Sequence, residues 1–238
     1  MRFFEKLRTV FQEFGALAPL YLLNRLCEGT LCGVYAYRLV AQPVAPRPML
    51  PQARGRTIEV RRMEPGDPDF AGLPLTQAVL DYRFDQGAIC FGAFKGGSVI
   101  GCIWLCLGPY FEDEVRCRFV PVGASWDFDV YLRPEHRVGF AFARLWDEAN
   151  AFLRGRGLHW SISRISVLNT KSLAAHDKLG IRTLGTAVFL RIGRFQAMLS
   201  SLPPFVACSA SNAGAPILVL RAPSSAPERV ENPVSAEG

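Results

Sequence analysis

The stretch Ser125-Trp126-Asp127-Phe128-Asp129-Val130-Tyr131-Leu132, followed by Arg133-Pro134-Glu135-His136-Arg137-Val138-Gly139, carries the reading of the whole chain. Trp126 to Leu132 alternates and is rich in aromatic and β-branched residues, which predicts a strand. Pro134 forbids further strand pairing and makes the next segment a turn. From Gly139 to about Arg154, the residues Phe142, Leu145, Trp146, Ala149, Phe152 and Leu153 fall at helical spacing. His159 to Leu168 predicts a second strand. Asn169 opens a short helix that Gly180 closes. A strand whose carboxyl end turns directly into a helix aims free backbone N–H groups, and the positive end of the helix dipole, at one point. That geometry binds a phosphate or pyrophosphate.

These residues resemble the GCN5-related N-acetyltransferase (GNAT) superfamily, which carries an arginine- and glycine-rich pyrophosphate loop after its fourth strand. Here the loop reads His136-Arg137-Val138-Gly139-Phe140-Ala141. Gly139 and Ala141 match, whereas His136, Arg137 and Val138 replace the usual residues. The later signature runs Asn169, Thr170, Lys171, Ser172, then His176, Lys178, Gly180 and Ile181, with His176 in the usual Tyr position and Ile181 in the usual Phe position. The match covers roughly Thr57 to Leu199. It implies an α/β fold with a central mixed, mostly antiparallel twisted sheet flanked by helices. It also implies acetyl-CoA or another acyl-CoA as co-substrate, with the pyrophosphate on the backbone of Arg137, Val138, Gly139, Phe140 and Ala141. Backbone N–H groups around Val130 to Leu132 would polarise the thioester carbonyl, and Asn169 would contact the pantetheine arm. A small side chain at Gly139 and Ala141 lets phosphate approach the backbone.

N-acyl transfer needs a base, because an alkyl amine with a pKa of roughly 10.4 is mostly protonated at neutrality. Asp129 is the first candidate and Asp127 the second. Two positions apart on a strand, they are expected on one face. The competing expectation is that they pair with Arg116 or Arg118 on a neighbouring strand. Glu112, Asp113 and Glu114 read as a solvated loop. His176 is the candidate acid for the departing thiolate. Asn169 is in addition a natural N-cap, and Lys178 and Gly180 read as helix end and cap.

The chain has 238 residues, 50% of them hydrophobic, and a formal charge of +6. That rules out a disordered chain and suits anionic ligands. No long Arg/Lys stripe or nucleic-acid motif is present, so nucleic acid is not the expected partner. The seven cysteines include no C-x-x-C pair, so no zinc site or other metal is expected. They read as reduced thiols of a cytoplasmic protein.

Three regions are expected: an extension and Pro-rich linker over 1–55, the acyltransferase domain over 56–200, and an edge segment with a disordered tail over 201–238. In the extension, Phe3, Phe4, Leu7, Val10, Phe11 and Phe14 recur at helical spacing. This predicts a helix that packs on the domain or lies on the inner membrane face as a peripheral anchor. Val34 to Val40 reads as a strand. Leu73 to Gln86 is predicted as a helix covering the acceptor side. The expected reaction transfers an acyl group to a primary amine of a small molecule. The similarity extends to proteins associated with exopolysaccharide and exosortase loci and to N-acyl amino acid synthases. It implies an amino sugar or amino acid acceptor and, as a variant donor, acyl carrier protein. The alternative is a non-catalytic acyl-CoA-binding or scaffold protein on the same fold.

Overall fold

The structure, a computed structural model, describes residues 15–27, 31–51 and 53–224. The helix expected around Phe3 to Phe14 and the tail beyond 224 lie outside the described residues. The first helix is α1 (Ala18–Cys27), followed by β1 (Cys32–Pro43) and β2 (Ile58–Met63). Then come α2 (Gln77–Asp85), β3 (Ile89–Lys95), β4 (Ser98–Cys106), β5 (Tyr110–Glu112), β6 (Cys117–Val122) and β7 (Ser125–Leu132). The chain continues through α3 (Ala141–Arg154), β8 (Trp160–Ser166), α4 (Thr170–Asp177), β9 (Arg182–Ile192), β10 (Phe195–Ser200), β11 (Val206–Ser209) and β12 (Ile217–Arg221).

Nine strands form one sheet in the order β11-β10-β9-β1-β8-β7-β4-β3-β2, and β12, β6 and β5 form a second. In the large sheet only β7 and β8 run parallel; every other pairing is antiparallel. The α/β sheet flanked by helices is therefore the architecture that the resemblance implied. Ile217 to Leu220, within the region expected to hold an edge segment, lies at the edge of the small sheet, parallel to β6.

Each face of the large sheet carries its own core. On one, Trp104, Trp126, Phe119 and Phe189 are fully buried, and Phe119 of the small sheet stacks on Trp126 at 4.5 Å. On the other, Leu145, Trp146 and Leu153 of α3 pack on Ile103 and Leu105 of β4. The 3.6-residue spacing read in α3 is thus the stripe that meets the sheet.

The strand read at Val34 to Val40 is not peripheral. β1 lies between β8 and β9, antiparallel to both. Truncation at residue 42 would remove a strand from inside the sheet, so only a deletion ending before Gly15 isolates the first fourteen residues. The segment after β1 straps along α3: Met49 N donates to Asp147 Oδ1 at 2.6 Å, and Arg154 donates to the carbonyl of Ala45. The helix predicted from Leu73 begins later, at Gln77 behind the Thr76 cap. Pro74 holds Leu73 extended at φ −108, ψ 153.

Candidate functional site

β7 and β8 pair only at Ser125–Ser161 and Trp126–Ile162 and then diverge. Beyond Trp126 the two strands leave a gap with the α3–α4 layer on one side and the α1–α2 layer on the other. β7 also slips against β4, between Cys102 and Trp104, and Asp129 takes a left-handed φ of 49. This bulge leaves Asp129 and Val130 without a registered partner on β4, whereas Leu132 is registered against Gly101. Of the two proposed N–H donors, Val130 is the one in the irregular segment.

The bulge overturns the expectation that Asp127 and Asp129 share a face. An extra residue in a strand breaks the two-residue alternation, so side chains two apart point to opposite sides. Asp127 faces the α3–α4 layer, where its Oδ1 accepts from Ser161 Oγ at 2.6 Å. Asp129 faces the α2 side and pairs with Arg83 Nη2 at 2.7 Å. Neither Arg116 nor Arg118 is the partner; the guanidinium comes from α2 and lies over Trp104 and Phe128, at 4.9 and 5.4 Å.

On the α3–α4 side, the turn expected to bind pyrophosphate is open. Gly139 stands at φ 132, and a Cβ built there meets nothing within 4 Å. The N-cap of α3, Phe140, makes no side-chain cap bond. Thr76 caps α2 and Asn169 caps α4, the latter as expected, by accepting from Ser172 N at 3.1 Å. The first N–H groups of a helix have no intrahelical acceptor. At α3 they face an approach that a side chain would block. These features fit a pyrophosphate. Arg137 is tied back, its Nε donating to the Leu132 carbonyl at 3.1 Å, and Val138 is 95% exposed.

His176 is buried rather than on the helix surface, edge-on to Phe142 and Trp146 at 6.3 and 6.5 Å. Its Nδ1 donates to the Ser172 carbonyl at 2.8 Å. A carbonyl only accepts, so the proton sits on Nδ1 and Nε2 is the atom left for exchange. Burial raises the Asp127 carboxyl to about 6, opposed by the Ser161 hydrogen bond and then by the charge of His176. Between the ordinary 3.8 and about 6, the native carboxyl holds a proton that the unfolded chain has released. Stability therefore falls as pH rises through that window and stays lower above it. Asp127→Asn keeps an acceptor for Ser161 and removes the charge. Well above pH 6 it should raise the melting temperature and the unfolding free energy, the latter by on the order of 3 kcal/mol at most. The gain should vanish as pH falls below the window. A variant that melts lower at every pH would show the carboxylate to be partnered and stabilising.

On the α1–α2 side the gap opens into a cavity of about 830 Å³ whose walls include Tyr35, Tyr37, Tyr82, Arg83, Asp129 and Arg164. Glu112, Asp113 and Glu114 also line it; Asp113 and Glu114 are exposed in a turn, as read, whereas Glu112 is a buried strand residue, which corrects its reading as part of a solvated loop. Glu112 is 7% exposed and accepts from Arg164 Nη2 at 2.9 Å. Glu114 takes Arg164 Nη1 at 2.9 Å and the Tyr37 hydroxyl at 2.8 Å. Burial opposes the charge of Arg164, yet Glu112, Tyr37 and Glu114 hold its pKa above the ordinary value. Arg83 and Arg164 were not singled out as site residues. The signal for Arg164 was present: it interrupts an otherwise apolar alternation, Trp160, Ile162, Arg164, on one face of β8. The thiols of Cys90 and Cys117 are pushed up by burial, the latter to about 12, so neither supplies a thiolate nucleophile.

No family model and no curated protein matches the chain. Among solved structures it is similar to a conserved protein of unknown function from Staphylococcus epidermidis, at 10% identity and a TM-score of 0.50 over 72% of this chain and 67% of that one. It is also similar to a tandem GNAT protein from the clavulanic acid biosynthesis pathway, at 16% identity and a TM-score of 0.45 over 71% and 55%. An acetyltransferase of Trypanosoma brucei aligns at 22% identity and a TM-score of 0.39 over 53% and 93%. At these identities the likeness concerns the fold alone.

Proposed function

We propose that this chain is an N-acyltransferase that moves an acetyl or longer acyl group from coenzyme A to a primary amine of a small molecule. One observation carries the reading. An open, uncapped helix start on one side of the β7–β8 gap faces an acid-bearing cavity on the other, so an anionic donor and an amine can meet through the sheet. Coenzyme A supplies the activated thioester. The backbone from Arg137 to Ala141 holds its pyrophosphate, and Asn169 lies near its arm. In the cavity Asp129 takes a proton from the ammonium. The freed nitrogen forms a C–N bond to the acyl carbon as the C–S bond breaks, and the second proton it sheds on becoming an amide passes to water. The thiolate leaves with a proton from Nε2 of the imidazolium form of His176. A thiol leaves readily enough that this last help is secondary.

The test is thiol release from acetyl-CoA with and without a primary amine, with the amine product weighed by mass spectrometry. The expected result is one acylated amine per thiol and almost no release without amine. Release without amine, giving free acid, would mark a thioester hydrolase. Binding of coenzyme A with no release under any condition would mark a non-catalytic binding protein.

A further inference from the structure

The large sheet runs on past its helices. On the α3–α4 side, α3 packs on β2, β3, β4 and β7, and α4 packs on β8. Along β9, Ala187 and Phe189 are buried in the core on the other side, so Val188, Leu190 and Ile192 point out on this one. The register carries this face across the next two strands. Phe195, Ala197 and Leu199 of β10 stand opposite Ile192, Leu190 and Val188. Val206 and Cys208 of β11, at the edge of the sheet, stand opposite Leu199 and Ala197. None of these eight side chains carries a charge. The six larger residues are 38% to 65% exposed. Together the eight present on the order of 600 Å², the upper end of what a monomer shows as its largest apolar patch. A standard interface takes about 800 Å² from each partner, so this face supplies most of one.

The relief of the face suits its own copy. Val188, Leu199 and Val206 form a row of branched side chains across the three strands. The next row, Leu190, Ala197 and Cys208, has two small members and borders an open hollow of about 420 Å³. A twofold axis lying between two such faces sets the ridge of each copy against the hollow of the other, which is an isologous contact. Two sheets meeting in this way pack about 10 Å apart, as in a sandwich. Charge favours the same occupant. The chain carries +6, so copies repel, and a face without charge brings them together with no like-charge contact.

Two other occupants fit less well. Residues 1–14 join the chain through Gly15 and α1, on the opposite side of the sheet, where Asn24 shares the cavity wall with Tyr35 and Tyr37. An anionic bilayer calls for a cluster of Lys and Arg. The two rows hold neither, and Arg194 at the β9–β10 turn is stacked on Phe195 at 5.0 Å.

We infer that two copies of this chain form a twofold dimer by packing their β9–β10–β11 faces together. Dimer formation is independent of the acyl-transfer reading.

Sedimentation velocity over about two decades of protein concentration tests it. The wild type should pass from the chain mass of 26.3 kDa to twice that mass. Leu190→Asp changes an exposed residue two strands in from the edge, so the monomer should melt as the wild-type monomer does. Its dimer dissociation constant should rise at least about a hundredfold, because each dimer would bury two unpaired carboxylates. Leu199→Lys, on the neighbouring strand, should do the same and serves if the first variant does not fold. A dimer that survives both substitutions is built elsewhere, through the β11 edge or another surface, and overturns the inference. So does a wild type that stays at 26.3 kDa at every concentration. Two further outcomes overturn it and say what covers the face instead. A wild-type monomer that dimerises once residues 2–14 are deleted covers it with its own chain. A wild-type monomer that floats with phosphatidylserine–phosphatidylcholine vesicles, while Leu190→Asp does not, covers it with lipid.

Discussion

Asp129→Asn should lower turnover with a primary amine by on the order of a hundredfold or more near neutral pH, within the usual range for a general base. The substitution suits the backbone. Asp129 sits at φ 49, and Asn is among the few residues that accept this conformation with little strain. Its amide oxygen can still accept from Arg83, so the cavity wall should survive. What is lost is the ability to take a proton. The deficit should therefore shrink as pH rises toward the amine's own pKa, roughly 10.4, where free amine no longer needs a base. His176→Phe should cost less, and its effect should persist at high pH, because it acts on the leaving thiolate. Turnover per folded molecule and melting temperature, measured together across pH, distinguish the roles. If Asp129→Asn lowers stability and leaves turnover intact, the carboxylate is only the ion-pair partner of Arg83.

Much of the fold was legible because period and punctuation agreed. The β7–turn–α3–β8–α4 core followed from Trp126 to Leu132 alternating, from Pro134, from the stripe Phe142 to Leu153, and from the Asn169 cap. The hairpin of β3 and β4 turns at Gly96-Gly97, a glycine pair whose turn signal is local to the sequence. Each of these signals is local, so no distant contact had to be known.

The placement of β1 was not legible. Val34 to Val40 reads as a strand from its own residues, but nothing in them says that it inserts between β8 and β9. That pairing spans more than a hundred residues of sequence. The short strands β5 and β11 offered too few residues for a period. The face of Asp129 was misread for a related reason. Alternation is a safe rule until one extra residue enters, and the bulge arises from the register of β7 on β4 rather than from the composition of β7. The acidic wall was missed because three consecutive acids look solvated. Arg164, distant in sequence, pairs with both Glu112 and Glu114, and of the three acids Glu112 is the buried one.

The proposed function stands on the amino end of α3, and Gly139→Glu examines it most directly. At φ 132 any side chain strains the backbone by roughly 1–3 kcal/mol. A carboxylate in this place also meets the positive end of the helix dipole, which returns part of that cost. The space around a Cβ at Gly139 is open, so the variant should fold, with its own anion seated where the pyrophosphate belongs. Calorimetric titration with coenzyme A, beside a thermal melt, reads both properties on one preparation. The expected result is a folded protein whose affinity for coenzyme A falls at least about a hundredfold, roughly 2.7 kcal/mol. Gly139→Ala, which adds strain without charge, should fall between the two. A folded Gly139→Glu protein that binds coenzyme A as tightly as the wild type would contradict the assignment of this helix end as the donor site.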